Sequence, residues 1–442
     1  MTGASFEPFK IKMYERIQLS TRLNRLQWLA EAEYNLFNLN SCQVMIDLLT
    51  DSGSGAMSDR QWASILSGDE SYAGSASFLD LKKVVGQIFG IPNCLPVHQG
   101  RAAENVLFSA LLHKGDLVPG NGHFDTTRGH IEFREAEAMD CGIHCGSNKN
   151  TASVFRGDLD VDKLKYLFVN HRDRIPLVLL TITNSVAGGH PVSMRNIRET
   201  AEICVKYGCP LFIDAARFAE NALFVKQHEP GYTDASIRSI VLEMFSHSSG
   251  FLLSAKKDAA CNIGGLIAMR DKQLLDSVAE FVIRFEGFLT YGGLAGRDLA
   301  AMATGLEEAL DCDLLEARAA QITRLGAMLS KDGLPVLEPL GGHAVFIDVA
   351  VFFPLLPSNE CPAHTLALEL YLEGGVRSLG IDGDQHWLRL ALPRRTYTDT
   401  HLAHVARSLQ SVYSRRYEMV NGYNVTFEHV KLKGFTRKYS KI

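Results

Sequence analysis

Apolar residues recur along this chain with two different periods. LVLLTIT at 177–183 is a continuous, β-branched run of the kind a strand buried on both faces shows, and PLFIDAA at 210–216 repeats the signal. Between them SMRNIRETAEICVKYG predicts an amphipathic helix, with Ser193 as N-cap and Gly208 as its stop. TDASIRSIVLEMF then predicts a further helix, and GFLLSAKKD and GGLIAMRD two more strands. From about 57 to 310 this alternation predicts an open α/β sheet with helices on both faces. The rhythm changes near 311. A long helix over roughly 313–331 precedes a strand at HAVFIDVA, a helix at TLALELYLEGG, a strand at LRLALP and a helix at TDTHLAHVARSLQSVYSRR. That is the pattern of a smaller α+β domain. The first 55 or so residues read as an arm, a short helix (RLNRLQWLAEAEY) and one strand. The expectation is a large domain over 57–310 and a small one built from 1–56 with 311–442.

Composition narrows the function classes. The 442 residues are 46% hydrophobic and 21% charged, an ordinary globular balance. A formal charge of −5, spread along the chain, favours neither nucleic acid nor an anionic membrane surface. The C-terminal LKGFTRKYSKI is basic but interleaved with apolar residues, a local feature. The N-terminus has charges where a signal peptide needs an apolar core, and no apolar run approaches the length of a membrane span. Nine cysteines are irregularly spaced. Cys141, His144 and Cys145 resemble a metal corner, but no second pair stands at zinc-like spacing. Free thiols and a cytoplasmic location are expected.

Candidate chemistry lies where an α/β sheet collects its ligands, beyond the carboxyl ends of the strands. GFLLS is followed by Ala255, Lys256, Lys257 and Asp258; alone, such a triplet reads as a solvated turn. PLFI ends on Asp214 with Arg217 close behind, and alone that aspartate could cap the next helix. HQGRAAENVLFSALL sets Gln99, Gly100 and Arg101 at a helix start, where free amides and the positive helix end suit a phosphate. Together the three supply what pyridoxal phosphate requires: a phosphate cradle, a lysine for the Schiff base and a carboxylate against the pyridine nitrogen.

The motifs YNLFNLNS, DLLTDSG, GDESYAGS, HQGRAAEN, FDTTRGH, AGGHPVSM, DAARFAENA, SAKKD, YGGLAGRD, GGHAVF and LPRRTYT stand in one order from end to end. In this the chain resembles the tryptophanase and tyrosine phenol-lyase family of β-eliminating lyases. The resemblance implies the aspartate-aminotransferase fold (fold type I), pyridoxal phosphate as cofactor and a homotetramer built as a dimer of dimers. Lys257 matches the Schiff-base lysine and Lys256 a neighbour near the phosphate. Gln99, Gly100, Arg101 and Ser254 match the phosphate cradle, Asp214 the partner of the ring nitrogen, Arg217 and Ser185 groups near the ring oxygen, and Phe124 the stacking ring. Arg394 matches the residue that grips the substrate carboxylate, helped by Thr50. Tyr72 matches the general acid, and Tyr291 a residue entering from a neighbouring subunit. Phe37, Asp125, Phe288 and Ile381 match substrate contacts. Gly53, Glu70 and Asn262 match a monovalent-cation site that binds potassium.

Departures cluster around the leaving group. Asp125 resembles tryptophanases, and Ile381 stands where phenol-lyases carry an arginine. Gly434 replaces the histidine or phenylalanine of those relatives, and the segment DGDQHWLRL is short. Ser185 replaces an asparagine, with Asn184 beside it. The expected activity is β-elimination from an aromatic or bulky β-substituted L-amino acid, giving pyruvate and ammonia. Carbon–sulfur elimination, β-substitution and transamination on the same scaffold are the rivals. A non-catalytic binding subunit is opposed by the retained Lys257, Asp214, Arg217, Arg394 and Tyr72.

Overall fold

The computed structural model describes residues 6–143, 153–429 and 433–442. The chain separates into two compact units, one formed by Ser52–Glu316 and the other by Met1–Asp51 with Ala317–Ile442.

The large unit is built on a seven-stranded sheet. Its order is Cys94–Val97, Gly265–Met269, Gly250–Ser254, Leu211–Asp214, Val178–Thr181, Leu117–Gly120 and Glu137–Asp140. The last five run parallel, while Gly265–Met269 is antiparallel to both its neighbours. GGLIAMRD is therefore the strand that makes the sheet mixed. Side chains alternate across it, as the two-residue strand period requires. Phe251 packs into an aromatic cluster with Phe89, Phe218 and Phe245 on one face. Its neighbour Leu252 joins Ala103, Val106, Leu107 and Val282 on the other. Helices thus cover both faces. The sequence signal overran the hydrogen-bonded strands at both apolar runs, because the chain turns after Thr181 and after Asp214 while its residues remain buried. Ser193 does cap its helix, accepting the amide of Asn196, and Gly208 follows the helix end with φ of 59°.

In the small unit an antiparallel sheet of Leu379–Asp382, His386–Ala391 and Ala344–Asp348 is backed by the buried helix Pro362–Gly374. The N-terminal helix Arg22–Glu31 is fastened to this unit by Arg25. Its guanidinium, buried, donates to the carbonyls of Leu372 and Glu373 at the carboxyl end of Pro362–Gly374. A cation there meets the orphan carbonyls and the negative helix end together. Ile46–Asp47 pairs with Val376–Arg377 in parallel. The basic tail forms a hairpin strand, Lys438–Lys441 against Tyr423–Phe427.

No helix among the described residues is long and apolar enough to cross a membrane. The eight described cysteines are free thiols. His144 and Cys145 lie outside the described residues, and with them the metal corner read from the sequence.

Candidate active site

The sheet ends where the chemistry was sought. Asp214 is the last residue of its strand and Ser254 the last of the next. Asp214 is half-buried, between the buried residues Ile213 and Ala215. Burial raises its carboxyl above the usual range, while Lys257, the amide of Ala216 and Arg217 pull the other way. The amide of Ala216 donates to Oδ1 at 3.2 Å. Arg217 is buried, and its Nη1 donates to the carbonyl of Thr183 at 3.4 Å and to the Ser185 hydroxyl at 3.3 Å. Ser185 thereby occupies the contact that a shift of register could have given to Asn184. Asn184 is committed elsewhere, donating to the carbonyl of Asn121 and accepting the amide of Val186. Asp258, third of the KKD triplet, is no solvated turn residue. Its Oδ2 takes the amides of Ala219 at 2.7 Å and Glu220 at 3.3 Å, capping helix Phe218–His228.

The cradle is a close approach of helix to strand. Helix Gly100–Leu111 starts on Gln99, whose side chain makes no capping bond. A Cβ on Gly100 would stand 2.8 Å from the Ser254 Cβ, so only glycine lets the helix start press on the strand end. Lys256 is nearby in charge: burial and then Arg101 lower its ammonium from the ordinary value. A helix start without a side-chain cap and two mutually repelling cations describe a place that gains from an anion. The buried carboxyl beside Lys257, the arginine beside a hydroxyl, and this anion-seeking helix end fit pyridoxal phosphate.

Phe124 is the N-cap residue of helix Asp125–Phe133, with Asp125 exposed in the first turn. The segment is pinned by His123, whose amide and Nδ1 both meet Asp140 Oδ1, at 3.0 and 2.7 Å. Gly53, at φ of 75°, donates its amide to the carbonyl of Lys256 at 2.7 Å, and its own carbonyl accepts from Asn262 at 3.2 Å. Glu70 is engaged with the amide of Gly296 and with Arg297 Nε, at 2.9 and 2.8 Å. Tyr72 is 72% exposed. Its ring stacks on Phe288 at 5.4 Å and meets the edge of Tyr291 at 5.5 Å. The loop carrying those two rings is tied to the cradle approach by Glu286, which binds the amide of His98 and its Nδ1 at 2.5 Å.

In the small unit Arg394 pairs with Asp51 at 3.1 Å, one residue beyond Thr50, and the aspartate side chain is 2% exposed. Arg389, also buried, donates to the carbonyl of Leu49 at 3.0 Å and holds the same segment. Ile381 stands opposite Trp387 in the antiparallel register, and Trp387 meets the Phe346 ring edge-on at 5.7 Å. The short loop after Ile381 is a tight hairpin, closed by His386 Nδ1 and Asp382 Oδ1 at 2.8 Å. Phe37 rests against Phe435, ring centroids 5.3 Å apart. Gly434 falls in the short helix Lys433–Thr436, and its burial lies outside what is described. An aromatic ring therefore does come from this stretch, one position later than the glycine.

Sequence reasoning missed Glu104, Asp51, His123 with Asp140, and Phe435. Only Glu104 left a signal: a carboxyl among Ala103, Val106 and Leu107, on the apolar face of a helix. Asp51 and Asp140 look like any loop or strand-end acid until their partners are known.

Residues 47–408 match the family model described as beta-eliminating lyase. A probable beta-eliminating lyase of Trichomonas vaginalis is 48% identical over 99% of this chain and 98% of its own length. A tryptophanase of Salinibacter ruber is 46% identical over 97% and 94%, and a tyrosine phenol-lyase of Intrasporangium calvum 45% identical over 99% and 95%. Among solved structures, Leishmania major threonine aldolase superposes with a TM-score of 0.60 at 15% identity, covering 83% of this chain and 99% of that one. Sphingomonas wittichii serine palmitoyltransferase gives 0.57 at 15%, over 84% and 88%. These two share the fold, which is fold type I. An aspartate ending one strand and a lysine in the turn just past the next, on a fold of that type, are what a matching family model over most of the sequence leads one to find: the chain belongs to the β-eliminating lyase family and is a pyridoxal-phosphate-dependent lyase.

Proposed function

We propose that this lyase acts on aromatic or bulky β-substituted L-amino acids, releasing pyruvate, ammonia and the leaving group, and runs in reverse when products are abundant. The observation that carries this reading is the apolar character of the small unit's substrate-side residues. Phe37 meets Phe435, and Ile381 faces Trp387. A side chain with a phenol hydroxyl finds no arginine at position 381, and a buried hydroxyl left unpaired costs about 1–3 kcal/mol. Relatives named tryptophanase and tyrosine phenol-lyase support the aromatic class.

Pyridoxal phosphate, when bound, supplies an electron sink that makes the Cα–H of a joined amino acid acidic. Lys257 would hold the coenzyme through its amine, and the same amine is the base for the substrate Cα proton. Asp214 would serve the ring nitrogen, Arg217 with Ser185 the ring oxygen, and Phe124 the ring face. Gln99, Gly100, Arg101, Ser254 and Lys256 would receive the phosphate. Arg394, oriented by Asp51, grips the substrate carboxylate beside Thr50. Tyr72 protonates the departing carbon or, with Asp125, helps its tautomerisation, since an aryl carbanion leaves poorly; Phe288 and Tyr291 flank the Tyr72 ring. Exposed as that aromatic group is, it suits burial against a second copy in a homotetramer, whose mass light scattering reads. Glu70, Gly53 and Asn262 are the proposed ligands of potassium, and exchanging it for sodium lowers activity if they are.

Tyr72→Phe tests the assignment. Pyruvate release from a carbon-linked aromatic substrate falls by roughly 10²–10⁴-fold, the reach of general acid catalysis, while an S-alkyl cysteine loses far less. Equal losses on both substrates refute the role.

A further inference from the structure

One buried acid has no part in the scheme above. Glu104 lies on the second turn's approach of the cradle helix Gly100–Leu111 and is 7% exposed. Its Oε1 accepts from the Thr127 hydroxyl at 2.5 Å and its Oε2 from Thr126 at 3.3 Å. Among the described residues no lysine, arginine or histidine forms an ion pair with it. The charged groups that face it are Asp214, across from the cradle helix, and Lys257. Its threonine partners directly follow Phe124 and Asp125. A carboxyl buried without a cation is costly when ionised, and a second carboxyl close by adds to the cost.

We propose that Glu104 is a positioning residue that acts through Asp214: its carboxyl, buried on two threonine hydroxyls, exchanges its proton with solvent and by its charge sets how firmly Asp214 and Lys257 hold theirs. The inference rests on the coenzyme roles assigned above to Asp214 and Lys257. Burial first, and then Asp214, outweigh the threonine hydroxyls and Lys257 and carry the Glu104 carboxyl up to about 7. Asp214 raises Glu104, so the charge on one acid bears on the proton of the other. Below that pH the floor carries one negative charge at most beside Lys257; above it, a second appears and favours protonated partners.

Glu104→Gln keeps the shape and one accepting oxygen, turns the other contact into an N–H donor to a threonine hydroxyl, and removes the titration. Two readouts test it: the protonated-carboxyl infrared band of the coenzyme-free protein, and the pH midpoint of the visible transition of bound pyridoxal phosphate. In the wild type the infrared band persists well above the ordinary carboxylate range. In Glu104→Gln its Glu104 component vanishes, coenzyme still binds, and the visible midpoint falls by about one pH unit, because a nearby anion has been lost. Thr127→Val withdraws a bond that favours the ionised form, so there the band persists to higher pH; it carries the test alone if Glu104→Gln does not fold. A wild-type band and midpoint in Glu104→Gln, or a wild-type band in Thr127→Val, overturns the proposal. Asp214→Asn separates this from the underlying assignment: if it too binds coenzyme and titrates as wild type, the role given to Asp214 is what fails.

Discussion

The proposed coenzyme residues of the large unit and the proposed substrate-side residues of the small unit are anchored differently. Asp214 and Ser254 end parallel strands, Gly100 starts a helix pressed against one of them, and Asp258 is bonded into the next helix. Moving any one of these disturbs a sheet. Phe37, Ile381, Arg394 and Phe435 come instead from a 3₁₀ turn, a hairpin strand, a loop and a four-residue helix near the C-terminus. Each can be exchanged without touching a sheet buried on both faces. On the proposed assignment, chemistry is held where the backbone is most constrained and selectivity where it is modular.

Substitutions sharpen the contrast. Lys257→Ala has the largest effect expected: elimination drops by about 10⁴-fold or more, and borohydride no longer fixes coenzyme to the chain. Peptide mapping of the reduced protein checks it, and coenzyme found on another residue breaks the floor as described. Asp51→Ala comes next. Losing a charged hydrogen bond worth about 1.5–3 kcal/mol, Arg394 is left unoriented, and kcat/KM falls roughly 10–100-fold, mostly through KM. A fall confined to kcat would place Asp51 in the chemistry instead. Phe435→Ala is the mildest. Aromatic pairs contribute about 0.5–1.5 kcal/mol, so the ranking of substrates shifts by up to about tenfold while the coenzyme spectrum stays put. A spectrum altered as strongly as in Lys257→Ala would erase the distinction between the two regions.

Much of the fold was legible because it rests on local pattern. Val178–Thr181, Leu211–Asp214, Gly250–Ser254 and Gly265–Met269 were announced by apolar runs, and Ser193 by its capping chemistry. Glu137–Asp140 was not, since EAMD carries two acids and no β-branched residue. The antiparallel direction of Gly265–Met269 left no trace either, because a buried strand reads alike in both directions. At the site, strand-end residues could be named from their position after apolar runs. Asp51 and Phe435 could not, as their meaning comes from partners more than three hundred residues away. Asp258 was visible but carried no sign of its role, because its helix-capping bonds join residues 39 apart in sequence.

That capping has a mechanical sequel for its neighbour. With the carboxylate of Asp258 locked onto the amides of Ala219 and Glu220, the main chain just past Lys257 has a fixed pivot. In the role proposed for Lys257, any travel of its amine would then come from rotation within the four methylenes of the side chain and not from the backbone that carries it.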